Sequence, residues 1–144
     1  MSALILGMGQ LGGGDDGVGL AVIDALRLQG VPASYGDPTR LVEALGACER
    51  VVLVDALLGE EPGRVRVLRE DQLSGARPVS SHAMSVPQAV GLARALEPDG
   101  AELVIVGVEI FPPRPGMGLS EAVAAAVPLA AATARSELEG VGHA

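Results

Sequence analysis

Short apolar runs alternate along this chain with longer stretches in which apolar residues recur at helical spacing. The short runs predict strands at residues 3–8, 31–35, 50–55 and 102–108. The runs at 3–8, 50–55 and 102–108 are almost continuously apolar, which is typical of strands buried on both faces of a parallel sheet. Residues 64–69 alternate between polar and apolar instead, and this pattern predicts a half-exposed edge strand.

Helices are predicted between these strands. Asp15 and Asp16 open the first helix, and Gly30 closes it. Further helices are predicted over residues 38–47, from a capping box at Ser85 and Gln88 to about Glu97, and over an alanine-rich segment that Ser120 caps and Pro128 bends. Strands that alternate with helices in this order predict right-handed crossovers. We therefore expect one α/β domain over residues 1–144, a three-layer α/β/α sandwich around a mostly parallel five-stranded sheet with one antiparallel edge strand.

Composition and charge exclude several classes of protein. The chain has 144 residues, and 18 acidic against 10 basic side chains give it a net charge of −8. Nucleic acids and anionic membranes are bound through surplus Lys and Arg, so neither is expected as a partner. The longest uncharged apolar stretch, residues 122–134, is shorter than the roughly 18–20 residues of a membrane-spanning helix. With one cysteine and no secretory signal, we expect a cytoplasmic protein without an internal disulfide.

The first loop contains a pattern found in nucleotide-binding proteins. Residues 7–12 satisfy G-x-G-x-x-G between a predicted strand and a predicted helix, and Asp37 lies in the range of a ribose-binding acid. Two carboxylates, Asp15 and Asp16, stand where bare backbone N–H groups should meet a phosphate. A Rossmann-like nucleotide-binding domain therefore stays as the weaker alternative.

Three side chains are expected to converge at one edge of the sheet. In an open parallel sheet with strand order 2-1-3, the ligand crevice lies between the carboxyl ends of strands one and three. Asp16 follows the first strand, Asp55 ends the third, and His82 precedes a helix. Two carboxylates and an imidazole suit a borderline divalent metal with open coordination positions. The plainer interpretations are a helix cap for Asp15 or Asp16, a turn anchor for Asp55 and a loop hydrogen bond for His82.

Other catalytic signatures are missing or weak. No serine lies in a G-x-S-x-G elbow, and neither H-E-x-x-H nor C-x-x-C occurs. Cys48 is expected to be a buried structural cysteine. Arg64, Arg66 and Arg69 are expected to form a solvated strand edge, with contact to an acidic partner as the alternative.

The chain resembles the nickel–iron hydrogenase maturation endopeptidases over most of its length. The resemblance depends on five blocks in order: residues 6–19 with the glycine loop and acidic pair, 51–56 with Gly59 and 62–63, 80–82, 106–109, and 118–120 before the last helix. The chain also departs from the family pattern at three places: Gln10 replaces the usual Asn, residues 35–39 replace a Gly-Thr-containing turn, and Ala83 replaces a carboxylate or amide.

The resemblance implies a function. Members of this family remove a C-terminal extension from the hydrogenase large-subunit precursor after nickel insertion. The family's metal-binding and catalytic residues correspond to Asp16, Asp55 and His82. The nickel belongs to the precursor, so no permanently bound cofactor is expected. Because Ala83 cannot orient the imidazole, a non-enzymatic module that binds nickel or the precursor is the alternative.

Overall fold

The sheet has the predicted order and strand directions. The computed structural model describes residues 2–9, 12–75 and 84–140. Within these ranges the strands are β1 (Ala3–Gly7), β2 (Ser34–Tyr35), β3 (Arg50–Leu58), β4 (Val65–Arg69) and β5 (Glu102–Ile110). They form one sheet in the order β2-β1-β3-β5-β4, parallel throughout except for the antiparallel pair β4–β5. The predicted antiparallel edge strand is therefore confirmed.

Helices cover both faces of the sheet and give it a core on each side. The α-helices are α1 (Val18–Leu28), α2 (Pro38–Ala47), α3 (Val86–Leu96) and α4 (Glu121–Leu138), and two short 3-10 helices span Gly14–Gly17 and Glu70–Gly75. Alternate residues of β3 point to opposite faces. Val52, Val54 and Ala56 pack with α1 and α4, whereas Val51, Leu53 and Leu57 pack with α2 and α3. The three-layer sandwich is confirmed.

Both predicted helix starts on the α2/α3 face are confirmed in detail. The side chain of Asp37 accepts a hydrogen bond of 2.9 Å from the Arg40 backbone N–H and caps α2. At α3, the Gln88 N–H donates to Ser85 Oγ at 3.2 Å and the Ser85 N–H donates to Gln88 Oε1 at 2.8 Å. Asp37 thus has a structural role, which removes one support for the nucleotide-binding alternative.

The structure differs from the predicted boundaries at the carboxyl ends of the central strands. β3 runs to Leu58 rather than to residue 55, and β5 runs to Ile110 rather than to 108. They pair with each other up to Leu58 and Ile110, whereas β1 leaves the sheet at Gly7, opposite Val54. Pairing between β3 and β5 therefore extends both strands beyond the end of β1.

The start of α1, the burial of Cys48 and the length of the apolar helices bear on three further expectations. Helix α1 begins at Val18, because residues 14–17 form a 3-10 turn before it. Cys48 follows α2 and is half-buried against the α2/α3 core, so it is less buried than predicted. Within the described ranges, no helix combines the length and the apolar character needed to cross a bilayer.

Candidate active site

The candidate site lies where β1 leaves the sheet. β1 is the strand at which the order reverses, with β2 on one side and β3 on the other. Its last ladder residue, Gly7, pairs with Val54, and the Met8 N–H donates to the Val54 carbonyl at 3.0 Å. Asp55 is the next residue of β3, so it faces the crevice that opens beyond β1. The prediction that Asp55 ends the strand is wrong, because β3 continues beside β5 for three more residues.

Asp15 fastens two distant segments of the chain. Its carboxylate accepts hydrogen bonds from the Ser120 N–H at 2.6 Å, from Ser120 Oγ at 2.9 Å and from the Phe111 N–H at 3.3 Å. The expected helix cap at Asp15 is wrong, since the cap positions are Gly13 and Gly17 and neither helix start has a side-chain cap. Ser120 occupies the N-cap of α4, but its hydroxyl donates to Asp15 instead of capping its own helix.

Asp16 is associated with Asp55. Both side chains are buried, each with 4% exposure. The pKa of Asp55 is raised from 3.8 to about 7, first because burial penalises its charged form and further because the Asp16 charge lies nearby. The Ala56 N–H, which donates to Asp55 Oδ1 at 2.9 Å, acts in the opposite direction. Burial and the Asp16 charge therefore both favour a proton on Asp55 or a cation beside it.

The glycine loop lets the backbone pass close to Asp16. Gly9 has φ +153°, and a Cβ at this position would lie 2.3 Å from the Asp16 carbonyl oxygen. A larger residue would push the acidic turn away from β1. Close packing thus explains Gly9, and two buried carboxylates at the entrance to α1 do not favour a phosphate site.

The third predicted ligand, His82, lies outside the described residues, as do Gln10, Ala83 and His143. The neighbouring helix α3 packs on the same face of the sheet as Leu53 and Leu57, which flank Asp55 in β3. Since α3 leads into the amino end of β5, its first turn lies toward the carboxyl ends of the strands. The described part of the chain contains no group of three potential metal ligands, so the convergence of His82 with the two acids stays a prediction.

Glu109 is a buried carboxylate that sequence reasoning left without a role. It has 4% exposure and lies near the end of β5. Its Oε1 accepts from the Glu61 N–H at 3.2 Å, and its Oε2 lies 3.3 Å from Arg64 Nε. A Cβ on Gly59 would come within 1.9 Å of Glu109 Oε1. Glu109 therefore holds the turn between β3 and β4. An acid near the end of an otherwise apolar strand was the sequence feature that could have indicated this role.

The three arginines of the edge strand differ from one another. Arg64 pairs with the buried Glu109, and Arg69 pairs with Glu137 of α4 at 3.2 Å. Their side chains are still 55% and 42% exposed, so the edge is solvated as predicted and carries ion pairs in addition. Arg66 forms no ion pair with the described residues. It is opposite Gly107, which in turn is opposite Asp55, so Arg66 lies on the Asp55 face two strands away.

Comparisons with known proteins agree on one family. Residues 36–137 match the family model described as hydrogenase maturation protease. Protein FrxA of Pyrococcus furiosus is 38% identical over 124 residues, covering 81% of this chain and 90% of that protein. A putative hydrogenase maturation protease of Methanocaldococcus jannaschii is 33% identical over 141 residues, covering 86% and 88%.

Solved structures share the fold over nearly the whole chain. The [NiFe] hydrogenase maturation protease HybD from Thermococcus kodakarensis superposes with a TM-score of 0.80 at 29% identity, covering 96% of this chain and 99% of that one. The hydrogenase maturating endopeptidase HybD from E. coli superposes with a TM-score of 0.82, covering 99% and 94%. At 22% identity, the second likeness concerns the fold alone.

Proposed function

Because the chain belongs to the hydrogenase maturation protease family, we propose that it removes the C-terminal extension of a nickel-loaded hydrogenase large-subunit precursor. A peptidase role in hydrogenase maturation follows from the family. It also outweighs the non-enzymatic binding module suggested by Ala83. The proposed parts are the requirement for nickel, the bond that is cut and the residues that do the work.

The buried pair of Asp16 and Asp55 is the observation that supports this proposal. Two carboxylates held near each other away from water are unfavourable unless a positive charge joins them, and the raised pKa of Asp55 expresses that cost. A divalent ion would supply the missing charge. With His82 as a third ligand, the donor set of two carboxylates and an imidazole suits nickel and leaves coordination positions open.

The nickel in this proposal is part of the substrate. In this proposal the precursor brings the ion, and Asp16, Asp55 and His82 complete its coordination only when it is present. A precursor without nickel would lack the ion that these three residues recognise, so it would be rejected. The family resemblance supports such a shared site.

Hydrolysis at this site requires a polarised carbonyl or an activated water. A divalent ion beside the scissile bond supplies either form of help, by withdrawing electrons from the carbonyl oxygen or by lowering the pKa of a bound water. The water oxygen bonds to the carbonyl carbon, the C–N bond breaks, and the nitrogen leaves with a proton that the water gives up. Asp16, Asp55 and His82 would hold the ion, and the burial of the two acids limits the access of bulk water to them.

The decisive test is incubation with a nickel-loaded precursor followed by intact mass measurement. We expect the wild-type chain to shorten the loaded precursor and to leave the nickel-free precursor intact. Asp16→Asn, Asp55→Asn and His82→Ala should each stop processing while remaining folded. Asp99→Asn, which changes an exposed carboxylate in a turn, is the matched control and should process normally.

Two results would contradict parts of the proposal. Cleavage of the nickel-free precursor would remove the metal requirement. Normal processing by any of the three site variants would remove that residue from the site.

A further inference from the structure

We propose that a cleft beside the candidate site binds the free C-terminal end of the precursor extension, with Arg114 pairing with its terminal carboxylate. The cleft lies between the 3-10 turn at residues 14–17 and the segment 111–120 that joins β5 to α4. We call it the Phe111 cleft, and its walls include Asp15, Phe111, Pro112, Arg114, Met117 and Leu119. This inference rests on the proposed function, because it assigns the part of the same substrate that lies beyond the cut.

The walls of the Phe111 cleft are apolar and open to solvent. The cavity has a volume of about 330 Å³, at the small end of the usual range for ligand sites, roughly 300–1,000 Å³. Phe111 is one of only two aromatic residues in the chain, and 48% of its surface is exposed. Met117 is 57% exposed. Large apolar side chains left in water on a cavity wall are available to bury an apolar side chain of a ligand.

The cleft is held open by polar contacts at its base. Asp15 binds both ends of the segment through the Phe111 N–H and the Ser120 N–H and hydroxyl. Backbone bonds from the Gly14 N–H to the Met117 carbonyl at 3.0 Å and from the Gly116 N–H to the Gly12 carbonyl at 2.7 Å fix its middle. A ligand therefore meets a preformed surface and loses little free energy in ordering it.

The Phe111 cleft adjoins the candidate site through consecutive residues of the acidic turn. Asp15 is part of the cleft, and the next residue, Asp16, is associated with Asp55. Adjacent residues are separated by about 3.8 Å between their Cα atoms. The cleft and the acid pair are therefore joined by neighbouring residues of one rigid turn, and both are available to the same substrate chain.

The positive charge of Arg114 suits the C-terminal carboxylate of the precursor extension. Arg114 is exposed and forms no ion pair or side-chain hydrogen bond with the described residues, whereas Arg64, Arg69 and Arg94 all pair with glutamates. The carboxylate of Asp15 already accepts three hydrogen bonds. On a chain of net charge −8, an anionic peptide is repelled almost everywhere. Every C-terminal extension ends in a carboxylate, and Arg114 offers it a bidentate partner.

The test compares nickel-loaded precursors whose extension ends in a free carboxylate or in an amide. For the wild-type chain, we expect amidation to raise KM about three- to tenfold with kcat unchanged. Arg114→Gln should show the same rise with the free carboxylate and no further rise on amidation. Arg114→Lys should restore part of the discrimination. Arg135→Gln, which alters an exposed arginine on α4 paired with Glu139, is the matched control and should behave as wild type.

The outcomes separate this inference from the proposed function. If the wild-type chain cleaves both precursors with the same KM, or if Arg114→Gln still distinguishes them, the cleft assignment is overturned and the peptidase stands. If the wild-type chain cleaves neither nickel-loaded precursor, both the proposed function and the cleft assignment fail. Thermal unfolding of each variant shows whether a change in KM is accompanied by loss of the fold.

Discussion

Replacing Asp55 by Asn should make the isolated protein more stable at neutral and alkaline pH. The Asp55 carboxyl has a pKa of about 7 in the fold, against 3.8 as its ordinary value. The folded chain therefore keeps a proton that the unfolded chain releases as the pH rises from about 4 to 7. Stability falls over that interval, because the buried site must finally accept a charge it disfavours. An Asn at this position carries no charge and can still accept the Ala56 N–H.

The size of the effect follows from the difference between the two pKa values. At 1.36 kcal/mol per pKa unit, charging Asp55 in the fold costs about 4 kcal/mol above pH 8. At pH 5 the ionisation of Asp55 in the unfolded chain has already lowered the free energy of unfolding of the wild-type chain in part. The further loss between pH 5 and pH 8 is about 2.5 kcal/mol. Burial is the larger cause of the raised pKa, and the Asp16 charge is a smaller one. Asp16→Asn should therefore keep most of the pH dependence.

Urea unfolding at pH 5 and pH 8 measures the effect as a double difference. The free energy of unfolding of Asp55→Asn, minus that of the wild type, should increase by about 2.5 kcal/mol between the two pH values. Taking this difference removes the other titrating groups, which both proteins share. The reasoning is refuted if the double difference is zero or negative. If nickel is added at pH 8, the stability advantage of Asp55→Asn over the wild type should shrink, because the ion stabilises the ionised pair of the wild type.

Two stability predictions test the scaffold around the site. Ser120→Ala removes the hydroxyl that donates to Asp15 at 2.9 Å, and it should lower the free energy of unfolding by about 1.5–3 kcal/mol. If urea unfolding shows a loss below about 0.5 kcal/mol, this hydrogen bond to a carboxylate does not stabilise the fold as argued. Gly59→Ala places a Cβ against Glu109 and should destabilise the chain by about 1–3 kcal/mol, whereas the control Gly91→Ala, in α3 with open space around it, should stabilise by about 0.5–1 kcal/mol. Equal melting temperatures for the two alanine variants would refute the contact at Gly59.

The architecture could be predicted because local patterns and topology agree. The apolar runs of β1 and β3 are buried on both faces, as continuous apolar strands should be. The alternation in residues 64–69 predicts an edge strand, and β4 is the antiparallel edge of the sheet. Its burial does not follow the alternation, because Leu68 packs in one core and Val65 against the other, whereas Val67 is exposed. The α3 capping box is encoded within four residues, so no distant contact was needed to recognise it.

The roles of individual acids could not be predicted, because they depend on contacts distant in sequence. Asp15 looks like a helix cap when only its neighbours are considered, but its partners lie 96 and 105 residues away. Asp55 looks like a strand end because the apolar run stops there, and only the pairing with β5 carries the strand further. Glu109 acquires its role from a turn some fifty residues earlier. A single sequence supplies no information on these long-range partners.

The neighbouring acids Asp15 and Asp16 explain why the first loop tolerates so unfavourable an arrangement. Asp15 is fully compensated by three donors, so its burial ties β5 and α4 to the loop. That tie gives the 3-10 turn a fixed position, and the fixed turn holds Asp16 close enough to Asp55 to raise its pKa. The strain of the like-charged pair is thus sustained by contacts outside the pair. Because burial is the larger cause of the raised pKa, loss of Asp15 should lower the pKa of Asp55 only by the smaller part that the Asp16 charge contributes, which a titration of the Asp55 carboxyl by NMR in Asp15→Ala would measure.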